Sequence, residues 1–111
     1  MDLKEYIRSI PDYPKKGILF RDITTLIKDA DAFKETINQI VDRSKNFKID
    51  KIAAIESRGF VFASAVSYIL NKPFIMLRKK NKLPAETYTT DFELEYGTAT
   101  IEVHKDSIAK N

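Results

Sequence analysis

Cysteine is absent from this 111-residue chain, so neither a disulfide framework nor thiol chemistry is open to it. Histidine occurs once, as His104, which excludes a multi-histidine metal site. Only three glycines and four prolines are present, too few for a linker-like or low-complexity chain. Uninterrupted apolar runs extend a few residues, far short of the roughly 20 a membrane-spanning helix needs. The opening Met1-Asp2-Leu3-Lys4-Glu5 is charged from its second residue and has no apolar stretch, so it does not read as a secretory signal. A strong charge of one sign is also missing. Nineteen basic residues against 16 acidic leave +3, too mild to mark a nucleic-acid binder. The expected class is a soluble cytoplasmic protein with no membrane or nucleic-acid partner.

What is present can build a core. Apolar residues make up 43%, including seven Phe and five Tyr, in a length suited to one domain. Leu3, Tyr6, Ile7 and Ile10 are spaced like one face of a helix that Pro11 ends. The run from Asp12 to Gly17 reads as an extended turn. Ile18-Leu19-Phe20, strand or loop, leads into Arg21-Asp22. Phe33, Ile37, Ile40, Val41 and Ser44 form a helical stripe, which Asp29 or Asp31 can cap.

The next block carries most of the information. Lys51 to Ile55 reads as a strand buried on both faces. Glu56-Ser57-Arg58-Gly59 interrupts it, and Val61, Phe62, Ala65, Val66, Ile69 and Leu70 follow at helical period. Asn71-Lys72-Pro73 stops that helix, and Phe74 to Leu77 reads as a second buried strand. Strand, helix, strand over so short a span is a βαβ unit with parallel strands. Beyond residue 83 the period becomes two. Phe92, Leu94 and Tyr96 alternate with Glu93 and Glu95, Gly97-Thr98 allows a turn, and Ala99, Ile101 and Val103 alternate again.

Ligands of parallel α/β sheets bind beyond the carboxyl ends of the strands. One such end carries Glu56 to Gly59 and runs into a helix N-terminus, whose N–H groups favour anions. Arg58 adds a bidentate donor, and Gly59 permits close approach of the backbone. The other end carries Arg78-Lys79-Lys80-Asn81-Lys82. A basic run alone is usually a solvated loop. Two cationic segments on one edge of parallel strands instead predict a site for a di- or triphosphate-like group.

Four ordered segments then carry a resemblance: Asp12 to Ile23, Ile55 to Phe60, Arg78 to Pro84, and Leu94 to Gly97, followed by Glu102-Val103-His104-Lys105-Asp106. In sequence, order and spacing the chain resembles the adenine phosphoribosyltransferases of the type I phosphoribosyltransferase family over essentially its whole length. The resemblance implies an α/β fold with a parallel-sheet core over 31–83. It also implies a base-binding hood segment over 1–30 and a flexible hairpin-like loop over 84–106, all within one apparently truncated domain, 1–111. It implies transfer of phosphoribosyl from phosphoribosyl pyrophosphate to adenine, giving AMP and pyrophosphate. Magnesium would be held mainly by substrate phosphates, in a homodimer.

Residue by residue, the resemblance implies that Phe20 stacks on adenine while backbone groups of Leu19 and Arg21 bond its edge. Glu56, Ser57, Arg58 and Gly59 would hold pyrophosphate, in a loop where relatives often have a non-proline cis peptide. Arg78, Lys79 and Lys82 would add charge to the same group. Glu95 would act as general acid or base on the ring, Tyr96 would help close the loop, and Arg58 would stabilise the departing charge. Read from the residues alone, Phe20 is a core residue and Glu95 a solvent-facing strand residue.

Two departures accompany the resemblance. Ala63 stands where relatives commonly have Gly. Relatives also continue with an apolar strand, two Asp residues and an Ala-Thr-Gly-Gly-Thr loop cradling the ribose phosphate, whereas this chain ends at Asn111. The expectation is therefore a parallel sheet with two clear strands and an unpaired edge, and crippled turnover by these residues alone. The alternative function is a non-catalytic purine- or phosphate-binding or interaction module derived from the same fold. A nucleic-acid binder using Arg78 to Lys82 is disfavoured, because no aromatics interleave the run.

Overall fold

The computed structural model describes residues 1–79, 83, 86–94 and 97–107. Its contacts divide the chain into two units, Met1–Lys45 and Asn46–Asn111, each described here by itself.

In the first unit the expected N-terminal helix shrinks to one 3-10 turn, Leu3–Tyr6, capped by the Asp2 side chain. Ile7 turns extended at φ −102° and ψ 121°. The next residues form strand β1 (Arg8–Ile10), antiparallel to β2 (Phe20–Asp22) with Ile10 opposite Phe20 and Arg8 opposite Asp22. Helical spacing misled here because Ile10 precedes Pro11, which disfavours helical backbone at that position, and ribbon pairing supplies the alternative. The connection between the strands holds Asp12 at φ 56°, Gly17 at φ 89° and a cis Tyr13–Pro14 bond. Gly17 N–H donates to Asp12 Oδ1 at 2.9 Å, and Tyr13 N–H donates to the Ile18 carbonyl at 3.1 Å.

A short helix α1 (Thr24–Ile27) precedes α2 (Ala30–Ser44). Asp29 caps α2 by accepting from the Ala32 N–H at 2.9 Å. Leu26, Ala32 and Ile37 are the buried apolar residues of this unit. The expected stripe is narrower than its spacing suggested, because Ile40 is exposed; it lies about 60° round the helix from Ile37, at the edge of the covered face. By its contacts this helix belongs to the first unit.

The second unit contains that block. Strand β3 (Ile52–Ile55), helix α3 (Arg58–Leu70) and strand β4 (Phe74–Lys79) form a βαβ unit, with β3 and β4 parallel from Ile52 opposite Phe74 to Ile55 opposite Leu77. Helix α3 covers one face. Ala54 lies beneath Gly59, and Phe60 meets Phe74 edge-on with centroids 5.3 Å apart. The expectation that β3 is buried on both faces is overturned: Ala53 and Ile55 are exposed, because alternation points them away from the helix. On α3 the buried residues are Ala63, Val66 and Ser67, while Val61 and Ile69 are exposed. The helix is apolar nearly all round, so period alone did not select the covered face. It ends at Asn71, in left-handed backbone at φ 55° and ψ 51°, where the Lys72 N–H donates to the Ser67 carbonyl at 3.1 Å.

Strands β5 (Thr87–Leu94) and β6 (Gly97–His104) form an antiparallel hairpin in unbroken register from Thr87 opposite His104 to Leu94 opposite Gly97. Gly97-Thr98, read as a turn, belongs to β6, since Gly97 already pairs with Leu94 and Thr98 with Glu93. Strand β6 also pairs antiparallel with the end of β4, placing Arg78 opposite Glu102 and Lys79 opposite Ile101. The sheet is four-stranded and mixed, in order β3-β4-β6-β5. The expectation was two clear parallel strands with an unpaired edge; the hairpin extends the sheet beyond β4, and β3 is the edge strand at the other end.

Candidate functional site

Leu77 supplies the carbonyl that accepts the Glu56 N–H at 2.9 Å, so the ladder between β3 and β4 runs one residue past the end of β3. The chain then turns through a cis Glu56–Ser57 peptide, the non-proline cis bond that the resemblance implied for this loop. Ser57 is the N-cap of α3 and makes no side-chain capping bond. The Phe60 N–H donates to the Ser57 carbonyl at 3.1 Å, and Arg58 is the first helical residue, at a helix N-terminus whose partial positive charge favours an anion.

The far side of this turn is the end of β4. One Glu56 carboxylate oxygen accepts the Lys79 backbone N–H, and the other lies 3.6 Å from an Arg78 guanidinium nitrogen. The turn that leads into Arg58 and the Arg78–Lys79 end of β4 are thus tied by an acid. Those contacts hold the Glu56 carboxyl below the usual carboxylate range, the Lys79 N–H most of all and then the charge of Arg78, against the opposing effect of burial. Ala53 to Glu56, Arg58, Gly59 and Leu77 line a cavity of about 490 Å³ here, within the size range of small-molecule sites.

Gly59 has a steric reason to lack a side chain. An added Cβ would sit 3.3 Å from Ala54 Cβ, so the close seating of the helix N-terminus on β3 depends on it. Arg78 Nε is buried and finds no hydrogen-bond partner among the described residues. Sequence reasoning missed Glu102, a buried acid that accepts from Thr87 Oγ1 at 3.2 Å and faces Arg78 across the ladder. Nothing in the alternating pattern set it apart from Glu93 or Glu95.

The residues expected to hold a purine ring lie in the first unit. Leu19 is exposed, and Phe20 is half-buried on β2 with Tyr13 edge-on, centroids 5.1 Å apart and planes at 73°. Arg21 points to the opposite face of the ribbon, where it donates to Ser9 Oγ and, with Lys4, Ile7, Ser9 and Ile23, lines a second cavity of about 490 Å³. Asp22, missed in the sequence, anchors this segment. It accepts the Thr24 N–H at 2.9 Å, the Thr24 hydroxyl at 2.8 Å and Arg8 Nε at 2.9 Å. Its pKa is lowered to about 2, chiefly by the Thr24 N–H and then by Arg8.

Lys82, Glu95 and Tyr96 lie outside the described residues. Among the described residues no group of three or more His, Asp or Glu could hold a metal ion, and no helix is long and apolar enough to cross a membrane.

Comparison with known proteins bears on this geometry. Adenine phosphoribosyltransferase of Pelagibacter ubique is 86% identical over all 111 residues, which cover 63% of that protein. The Agathobacter rectalis enzyme of the same name is 55% identical over 96% of the chain and 61% of its own length. The chain thus spans under two thirds of the length of these relatives. Among solved structures, adenine phosphoribosyltransferase of Thermoanaerobacter pseudethanolicus superposes with a TM-score of 0.88 at 50% identity, covering 95% of this chain and 61% of that one. The Giardia lamblia APRTase complexed with 9-deazaadenine superposes at 0.92 with 34% identity, covering 98% and 61%. The family model described as the phosphoribosyl transferase domain matches residues 23–94, a span that holds β3, the cis turn, α3 and β4 entire. The chain belongs to the phosphoribosyltransferase family.

Proposed function

We propose that the protein transfers phosphoribosyl from phosphoribosyl pyrophosphate to adenine, in purine salvage. The observation that carries this reading is the rim where the Arg58 turn and the Arg78–Lys79 strand end are joined through Glu56. Such a rim suits a diphosphate: helix N–H groups, a bidentate arginine and backbone in close approach on one side, further cations on the other.

In the proposed reaction an adenine ring nitrogen attacks the anomeric carbon. A carbon–nitrogen bond forms, the carbon–oxygen bond to pyrophosphate breaks, and the electron pair leaves with pyrophosphate. Ser57, Arg58, Gly59, Arg78, Lys79 and Lys82 are assigned to that leaving group, where donors positioned for developing charge have the largest effect. Substrate phosphate oxygens would hold magnesium, which would offset negative charge on the leaving group, and no side chain of this chain is assigned to it. Phe20 is assigned to the face of adenine and the backbone of Leu19 and Arg21 to its edge. Glu95 is assigned to proton transfer with the ring, and Tyr96 to closure over it. A cytoplasmic homodimer is the assembly proposed.

The test is formation of labelled AMP from labelled adenine, phosphoribosyl pyrophosphate and magnesium. Turnover that depends on Arg58, with Arg58→Lys failing to restore it, supports the reading. Tight binding of adenine and pyrophosphate without turnover would favour the non-catalytic module, and turnover indifferent to Arg58→Ala would sink the assigned site.

A further inference from the structure

A carboxylate on the rim of a diphosphate site needs an explanation, because a free acid there repels the ligand. Glu56 is not free. Its backbone N–H continues the ladder to Leu77, its Oε1 accepts the Lys79 N–H, and its Oε2 lies 3.6 Å from Arg78. The side chain is only 12% exposed, and both carboxylate oxygens are engaged by the β4 end.

We propose that Glu56, which the resemblance set among the pyrophosphate-binding residues, is instead a positioning residue, an internal brace that sets the cations of the β4 end against the Arg58 turn and does not itself touch pyrophosphate. This rests on the pyrophosphate reading above and assigns Glu56 a part in it. Three features of the surroundings support the brace. First, Lys79 is also the residue at which β4 pairs with β6, so the bond from Glu56 fixes a strand end that bears the hairpin. Second, Arg78 lies between Glu56 and the register position of Glu102, which is itself bonded to Thr87 of β5. Turn, strand end and hairpin base are therefore linked through one short segment. Third, the Arg78 contact is long for an ion pair and its Nε is buried without a partner among the described residues. Glu56 thus biases the guanidinium toward the rim without occupying all its donors.

The brace requires an acceptor at Oε1 more than it requires a charge, which separates it from direct ligand contact. Glu56→Gln keeps the acceptor; Glu56→Ala removes it. Hydrogen exchange of the Lys79 amide and calorimetry with magnesium pyrophosphate give the two readouts. For Glu56→Gln we expect a protected Lys79 amide and pyrophosphate affinity within about threefold of the parent protein, because a neutral acceptor retains most of a hydrogen bond. For Glu56→Ala we expect Lys79 exchange at least about tenfold faster and affinity lower by roughly tenfold or more. Glu56→Gln binding as poorly as Glu56→Ala with its Lys79 amide still protected would overturn the inference, since the charge would then act on the ligand. Unchanged binding by Glu56→Ala with an exposed amide would overturn it equally. Should Glu56→Ala not fold, Glu56→Gln decides alone, retention supporting the brace and loss refuting it. If the parent protein binds no magnesium pyrophosphate, the proposed function fails at this site and the inference falls with it.

Discussion

Arg8 and Asp22 stand opposite each other in the β1–β2 ribbon, with Arg8 Nε donating to Asp22 Oδ2 at 2.9 Å. Asp22 is buried and also holds the first N–H of α1 through Thr24, whereas the Arg8 side chain is 58% exposed. The two partners are therefore unequal. Asp22→Ala strands the Thr24 donor as well as breaking the pair; Arg8→Ala leaves Asp22 bonded to Thr24. The expected order of thermal midpoints is parent, then Arg8→Ala, then Asp22→Ala, read by circular dichroism.

The same carboxyl makes stability depend on acid. Its pKa is lowered from 3.8 to about 2 on folding, so the unfolded chain binds its proton first as pH falls. Its contribution is complete above the unfolded value and is lost as pH drops from 3.8 toward about 2. Glu56, also lowered, acts in the same direction. Asp22→Asn is expected to be less stable near neutrality and to show a shallower decline in midpoint through that window. An unchanged slope would place the acid sensitivity elsewhere.

Gly59 sits where an added Cβ would meet Ala54 Cβ at 3.3 Å. Gly59→Ala sets a helix-propensity gain of about 1 kcal/mol against that tight contact, and the net change is expected to stay within about 1 kcal/mol. Gly59→Val brings branched atoms against the same strand and is expected to cost about 2 kcal/mol or more. Chemical denaturation measures both.

Asn71 closes α3 in left-handed backbone. Asn71→Gly is expected to be neutral or slightly stabilising, while Asn71→Val is expected to lose roughly 1–2 kcal/mol, the cost of that conformation for a residue with a branched Cβ. Equal stability of the two variants would show that the cap carries no strain.

Phe20, held edge-on by Tyr13, gives a test of the proposed adenine face. Phe20→Ala is expected to weaken adenine binding by about ten- to a hundredfold, the range of stacking on an aromatic side chain. Phe20→Tyr is expected to retain it. Calorimetry with adenine reads the difference, and indifference to Phe20→Ala would return Phe20 to a packing role.

Several elements were legible in the order of residues because their causes are local. Asp29 caps α2 through its own neighbour Ala32, Asn71-Lys72-Pro73 stops α3, and a strand–helix–strand spacing this short leaves β3 and β4 parallel. The meeting of the Arg58 turn with Arg78 and Lys79 followed from that parallelism, since both loops leave the same edge of the sheet. Other features depended on what lies across from a residue. Whether Leu3 to Ile10 forms a helix was decided by β2, which offered a ladder to residues that Pro11 had already biased toward extended backbone. The faces that α3 and β3 bury were decided by their packing on each other, because apolar residues surround the helix and run continuously along the strand. Glu56 and Glu102 carry the clearest division. Composition and spacing mark each only as an acid, and its chemical part is set by partners distant in sequence, Lys79 and Arg78 for one and Thr87 for the other, which only the folded chain brings within hydrogen-bonding reach.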